Sequence, residues 1–135
     1  MPPRPGTGPR PGRGRLSRSA DFDRVIRRGR SLGAREFVLY AFPREETGPP
    51  RLGLSVSRKV GGAVQRNRVK RLLREAFALE SERLPPATDV VVVARQEARL
   101  LVEREGLEGV RGVLHGLIER LVEAQGGSEA RGAAA

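Results

Sequence analysis

The sequence predicts one α+β domain of two layers, with helices packed on a largely buried sheet. Three observations lead there. The chain has 135 residues, which allows one domain and a single core. Segments of helical period and β-rich segments follow one another in the order helix, strands, helix, strand, helix. The run Asp89-Val90-Val91-Val92-Val93-Ala94 is apolar on consecutive positions, as a strand covered on both faces would be. With four Phe, one Tyr and no Trp, the core must be built from Val, Leu and Ala.

Residues 1–15, MPPRPGTGPRPGRGR, are almost wholly Pro, Gly and Arg. They offer nothing apolar to offset the entropy of ordering, so a disordered basic arm is expected, followed by a domain over residues 16–124. The arm either adds sequence-independent attraction to RNA or is only a solvated extension. Phe22, Val25 and Ile26 mark a short helix, N-capped by Ser19 and ended near Gly29. EFVLYAF, Glu36 to Phe42, is a half-buried strand. Residues 43–50, with acids, Gly48 and paired prolines, form an exposed turn. In RLGLSVS, Leu52, Leu54 and Val56 alternate with Gly53, Ser55 and Ser57, and the two strands are expected to pair as a β-hairpin. Gly61-Gly62 let the backbone turn into the next helix; no G-x-G-x-x-G or Gly-Lys-Ser/Thr supports a nucleotide loop. That helix stops before Pro85-Pro86. After the valine strand, a last helix runs from about Leu107 to Ala124 with Val110, Leu114, Leu117, Ile118 and Leu121 as its packed stripe. Residues 125–135 are expected to fray.

The formal net charge of +10 is unevenly placed: residues 1–74 hold 19 basic and 5 acidic side chains, residues 75–135 hold 7 and 11. Such a field suggests a nucleic-acid partner for the N-terminal half. There is no Cys, hence no disulfide framework or thiolate metal site. The apolar runs are too short to span a bilayer, and Pro, Gly and Arg stand where a signal peptide would place its apolar stretch. A soluble cytoplasmic protein with no membrane partner is expected. Only two of the 26 basic residues are Lys, a preference that also dominates the tails and carries no functional weight.

Between Val56 and Arg74 the chain reads VSRKVGGAVQRNRVKRLLR, with seven basic residues and no acid. Such a run repels itself unless a polyanion lies against it. Val69, Leu72, Leu73, Ala76 and Phe77 share one helical stripe, and Asn67, Lys70, Arg71 and Arg74 share the opposite face, with Arg66 and Arg68 on the flanks. SRKVGGAVQRNRVKRLLREAF closely resembles the signature of the bacterial ribonuclease P protein component, whose hallmark triplet is here Arg66-Asn67-Arg68. SADFDRVIRRGRSLGAREFVLYAF, RLGLSVS and DVVVVAR extend the resemblance over roughly residues 16–121.

The resemblance implies an αβββαβα fold with the Arg-Asn-Arg helix in a left-handed crossover between two parallel strands, and an added short strand near Arg30 to Ala34. It implies that the RNA subunit carries out magnesium-dependent removal of the 5′ leader from precursor tRNA, so that magnesium serves the holoenzyme and no cofactor is held tightly by the protein. It nominates Arg66, Asn67, Arg68, Lys70, Arg71 and Arg74 for the catalytic RNA. For the leader it nominates Phe22, Ile26 and Tyr40, in a cleft between the first helix and the sheet, with Ser57, Arg58 and Lys59 near the edge. Closely spaced cations suit phosphates, and Asn67 adds a neutral donor and acceptor. Unstacked leader bases suit aromatic faces. The family usually has a second Phe where this chain has Ile26, which leaves apolar contact there in place of a ring.

No active site is legible in the chain itself. Its sole His, His115, has no Cys or Asp to work with and reads as a surface or partly packed imidazole. Glu103, Glu105 and Glu108 read as helix solvation. Two other functions compete with the family's: a basic ribosome-associated or RNA-chaperone protein with no role in cleavage, which the charge permits, and a free-standing nuclease, which the missing acid/base and metal constellation disfavours.

Overall fold

A computed structural model describes residues 19–45 and 47–134, with side chains described over residues 20–45 and 47–124. The arm at residues 1–15, the start of the domain at Leu16, the cap of Ser19 and the side chains of residues 125–135 lie outside what is described. Helix α1 spans Ser19–Arg28. Strands β1 (Arg30–Gly33) and β2 (Phe37–Pro43) follow, then β3 (Arg51–Val56). Helix α2 covers Ala63–Glu80 and ends in a 3-10 turn, Ser81–Arg83. Strand β4 is Thr88–Ala94 and helix α3 is Glu97–Ala134.

The four strands lie in the order β1-β2-β4-β3. The expected β2–β3 hairpin is therefore wrong: β4 lies between them, antiparallel to β2 and parallel to β3. The reason is burial. Val90, Val91 and Val92 of β4 are fully buried, Val90 and Val92 in the main core and Val91 against α1, so the interior position sets β4 beneath both helix layers. The connection from β2 to β3 passes the start of β4, where Arg44 N–H donates to Ala87 O and Ala87 N–H donates to Gly48 O, each at 2.8 Å. Because β3 and β4 are parallel, a crossover must join them, and α2 is that crossover.

Residues paired across the sheet share a face. One face presents Phe37, Leu39, Ala41, Leu52, Val56, Val90 and Val92, which pack against the apolar stripes of α2 and α3 in the main core. The other face carries α1 on β2 and β4, where Val25 and Val91 are fully buried among the half-buried Phe22, Ile26, Tyr40, Phe42 and Val93. Gly29 seats α1 there: a Cβ at this position would lie 2.6 Å from Ala41 O and 2.4 Å from Val25 O, closer than any side chain tolerates.

Helix α3 starts ten residues before the expected Leu107 and is broken at Gly106, whose φ of 62° and ψ of −145° are not helical. Ala98, Leu101 and Val102 bury the first segment. Their spacing is helical, but the stripe is one turn long and includes an Ala, too weak a pattern to separate from loop. Leu107 and the buried Val110, Leu114, Leu117, Ile118 and Leu121 pack as expected. Backbone helicity continues through Ala134, beyond the expected end at Ala124.

Candidate nucleic-acid interface

The buried stripe of α2 is Val69, Leu72, Leu73, Ala76, Phe77 and Glu80, which directs the opposite face outward. Asn67, Arg68, Arg71 and Arg74 are exposed, and Arg66 and Lys70 are half-buried at the flanks. All six nominated residues thus lie along one side of one helix. The Nε of Arg66 is enclosed by protein and has no hydrogen-bond partner among the described residues. Gly62 caps α2 without a side-chain hydrogen bond, and the first turn has no acid. Its backbone N–H groups and the positive end of the helix dipole are therefore open to an anion from outside.

On the other face of the sheet, α1 and β2 bring Phe22, Ile26 and Tyr40 together with Phe42 and Val93 around Val25 and Val91. The aromatic and aliphatic side chains of this patch are only half-buried, so each keeps surface at the face of the sheet. Tyr40 stands opposite Val91, and Val38 opposite Val93, which in turn pairs with Ser55 of β3. The strand then runs out into Ser57, Arg58 and Lys59, all exposed. The turn is held by Val60 N–H donating to Ser57 O at 3.1 Å and Gly61 N–H donating to Arg58 O at 3.2 Å. Ser57 to Lys59 do not line the aromatic patch itself; they stand at the end of β3 and lead directly into the N-terminus of α2. The two nominated surfaces are therefore continuous around one edge of the sheet.

Two polar networks were missed by sequence reasoning. Asp89, fully buried on the α1 face of β4, accepts two hydrogen bonds of 2.8 Å from Arg51 and one of 3.0 Å from Arg44. Arg44 also donates to Pro49 O at 2.8 Å. The only signal was an acid opening an apolar strand, which demands a partner without saying where in the sequence it lies. Second, buried Glu80 accepts from Arg111 Nε at 2.8 Å, and its other oxygen lies 2.8 Å from His115 Nδ1. The bonds from Arg111 and then His115 hold the Glu80 carboxyl below its ordinary value of 4.5, against the opposing cost of burial. His115 is thus a clamp between α2 and α3. Arg83 and Glu119 add a further pair, joining the turn after α2 to α3. Glu103 pairs with Arg99 at 3.0 Å in the open, as helix solvation would have it.

Among the described residues, no three His, Cys, Asp or Glu side chains lie close enough to hold a metal ion. No helix among them is long and apolar enough to cross a membrane.

The chain is similar over residues 11–117 to the family model described as Ribonuclease P. The Ribonuclease P protein component of Bacillus pumilus is 42% identical over 93 residues, 69% of this chain and 78% of that protein. That of Shouchella clausii is 47% identical over 91 residues, 67% of this chain and 75% of its own length. Among solved structures, the RNase P protein of Staphylococcus aureus superposes with a TM-score of 0.70 at 35% identity, covering 80% of this chain and 94% of that one. The RNase P protein of Thermotoga maritima gives 0.71 at 34%, covering 80% and 97%. A match of this length, with the mixed four-stranded sheet and its basic crossover helix, leaves one conclusion: the chain belongs to the ribonuclease P protein component family and is a protein subunit of that tRNA-processing ribonucleoprotein.

Proposed function

We propose that the protein binds two RNAs at once, the catalytic RNA subunit on the outer face of α2 and the single-stranded 5′ leader of precursor tRNA in the cleft between α1 and the sheet. The observation that carries this reading is the joining of two unlike surfaces at one edge. The α2 face is cationic, as folded RNA requires. The α1 face offers Phe22 and Tyr40 with half-exposed rings, as unstacked bases require. Ser57, Arg58 and Lys59 lie where the leader would pass from one surface to the other.

Hydrolysis is assigned to the RNA subunit with magnesium. The chain's own residues support that assignment, because the buried carboxylates among the described residues, Asp89 and Glu80, are each engaged by basic side chains in structural clamps. The protein's part is to bind, to orient the leader and to screen phosphate repulsion, which lowers the magnesium needed.

Reconstitution tests the proposal. Precursor tRNA is incubated with the RNA subunit alone, with protein alone, and with both, at physiological salt and low magnesium. Cleavage is expected only with both. Cleavage by protein alone, or no stimulation of the RNA by the protein, overturns the assignment.

A further inference from the structure

We infer that the leader cleft has a second compartment at its far end, between the last turn of α1 and the end of β2, which holds nucleotides further upstream. This rests on the leader-binding reading of the α1 face and extends it along the sheet. Tyr40 and Phe42 project to the same face of β2, opposite Val91 and Asp89 respectively. They are two positions apart, about 7 Å along the strand. That is about twice the rise of roughly 3.4 Å per nucleotide in a stacked strand, so the two rings suit a chain whose bases are pulled apart. From the Ser57 end, the face therefore presents Val93, then Tyr40, then Phe42.

Phe42 lines an open cleft of about 400 Å³ with Arg24, Arg28, Pro43, Arg44 and Glu45. Pockets for small ligands run from about 300 to 1,000 Å³, and an aromatic wall with a basic flank is the composition that single-stranded nucleic acid uses. Arg24 and Arg28 stand one helical turn apart and are exposed, and with Arg27 and Ala20 they line the adjoining depression. Asp21, itself mostly covered, pairs with Arg24 at 3.2 Å, while the Arg24 side chain stays 41% exposed and so within reach of a phosphate. Arg44 is nearly buried and held by Asp89 and the Pro49 carbonyl; it forms a fixed wall. Glu45 opposes a phosphate on its own side. The charges thus place the phosphate against Arg24 and Arg28 and the base against Phe42.

The test uses the full ribonucleoprotein with three RNAs: mature tRNA, a precursor whose leader ends over Tyr40, and one whose leader reaches Phe42. Arg24→Ala with Arg28→Ala alters only exposed side chains, and Phe42→Leu removes the ring while keeping apolar packing. Each variant is expected to weaken the long-leader precursor by about five-fold or more, and to leave the short-leader precursor and mature tRNA unchanged. The arginine variant should also lower the salt slope for the long leader by about 0.7 for each phosphate that is no longer neutralised. Equal losses of affinity for all three RNAs overturn the inference, as does an unchanged long-leader affinity in variants when the native protein favours long over short leaders; the cleft at Tyr40 then stands without the second compartment. If the native protein binds all three RNAs alike, the leader-binding reading falls and this inference with it.

Discussion

The ring of Tyr40 is half-buried against α1, with Val91 as its cross-strand neighbour, so it has one face to pack and surface left to offer. Tyr40→Ala is expected to weaken the holoenzyme's hold on precursor tRNA by about 1–3 kcal/mol and to leave mature tRNA, which lacks a leader, unchanged. Tyr40→Phe should retain most of that affinity, since the hydroxyl adds at most about 0.5–1.5 kcal/mol. The ratio of precursor to mature affinity is the measurement; equal weakening of both would show that Tyr40 acts through the fold. Glu80 makes the other prediction at this scale. Its carboxyl is held below 4.5 in the folded protein by Arg111 and His115, so the folded state takes up a proton less readily than the unfolded one. The stability it contributes is fully present above the unfolded value and is lost as pH falls through the lower folded value. Urea midpoints of the native protein and Glu80→Gln should differ most near neutral pH and converge in acid. A gap that stays constant with pH would mean that Glu80 acts through packing alone. The cationic face of α2 could be read from the chain itself, whereas Phe22, Ile26 and Tyr40 were nominated by the resemblance to the family. Asp89 with Arg44 and Arg51 could not, since the partners are 45 and 38 residues away.

Helix α2 combines two sequence patterns that do not interfere: an apolar stripe that faces the core and a cationic face that points away from it. Arg66→Ala with Arg68→Ala should therefore change RNA binding much more than folding. Each phosphate left without its guanidinium is expected to lower the salt slope of log K by about 0.7–0.9, while stability should move by about 0.5 kcal/mol for exposed Arg68 and by little more for half-buried Arg66, whose enclosed Nε has no hydrogen-bond partner to lose among the described residues. Titration of the RNA subunit at several salt concentrations, with a thermal melt of each variant, checks both. An unaltered RNA affinity would remove α2 from the interface, and a large fall in melting temperature would place these arginines in the structure instead. Helix α3 shows where element-level reading stops. Its long second segment was legible because its stripe repeats over several turns, whereas residues 97–105 bury only Ala98, Leu101 and Val102, and the break at Gly106 hides the continuity.

In the whole molecule, Asp89 ties together the connection after β2, the start of β3 and the start of β4 through Arg44 and Arg51. Asp89→Ala leaves Arg44 nearly buried without its carboxylate, a change that costs about 3–5 kcal/mol, a large part of the roughly 5–15 kcal/mol typical of a domain. Denaturant unfolding should show that loss; a change below about 1 kcal/mol would mean that the loop carries the arginines out to water. The same site marks the division between local and tertiary information. By itself the sequence determined α1, α2, the second segment of α3 and strands β2 to β4, the burial of β4 on both faces, the cationic face of α2 and the resemblance to the ribonuclease P protein, because periodicity, charge and motif are properties of neighbouring residues. Only the tertiary structure decided that β4 separates β2 from β3, that Phe42, Arg24 and Arg28 meet at one end of the α1 face, and that Glu80 and Asp89 are clamped. Those outcomes depend on which buried surfaces find each other across tens of residues, and a hydrogen-bonding edge or a carboxylate carries no local mark of its partner.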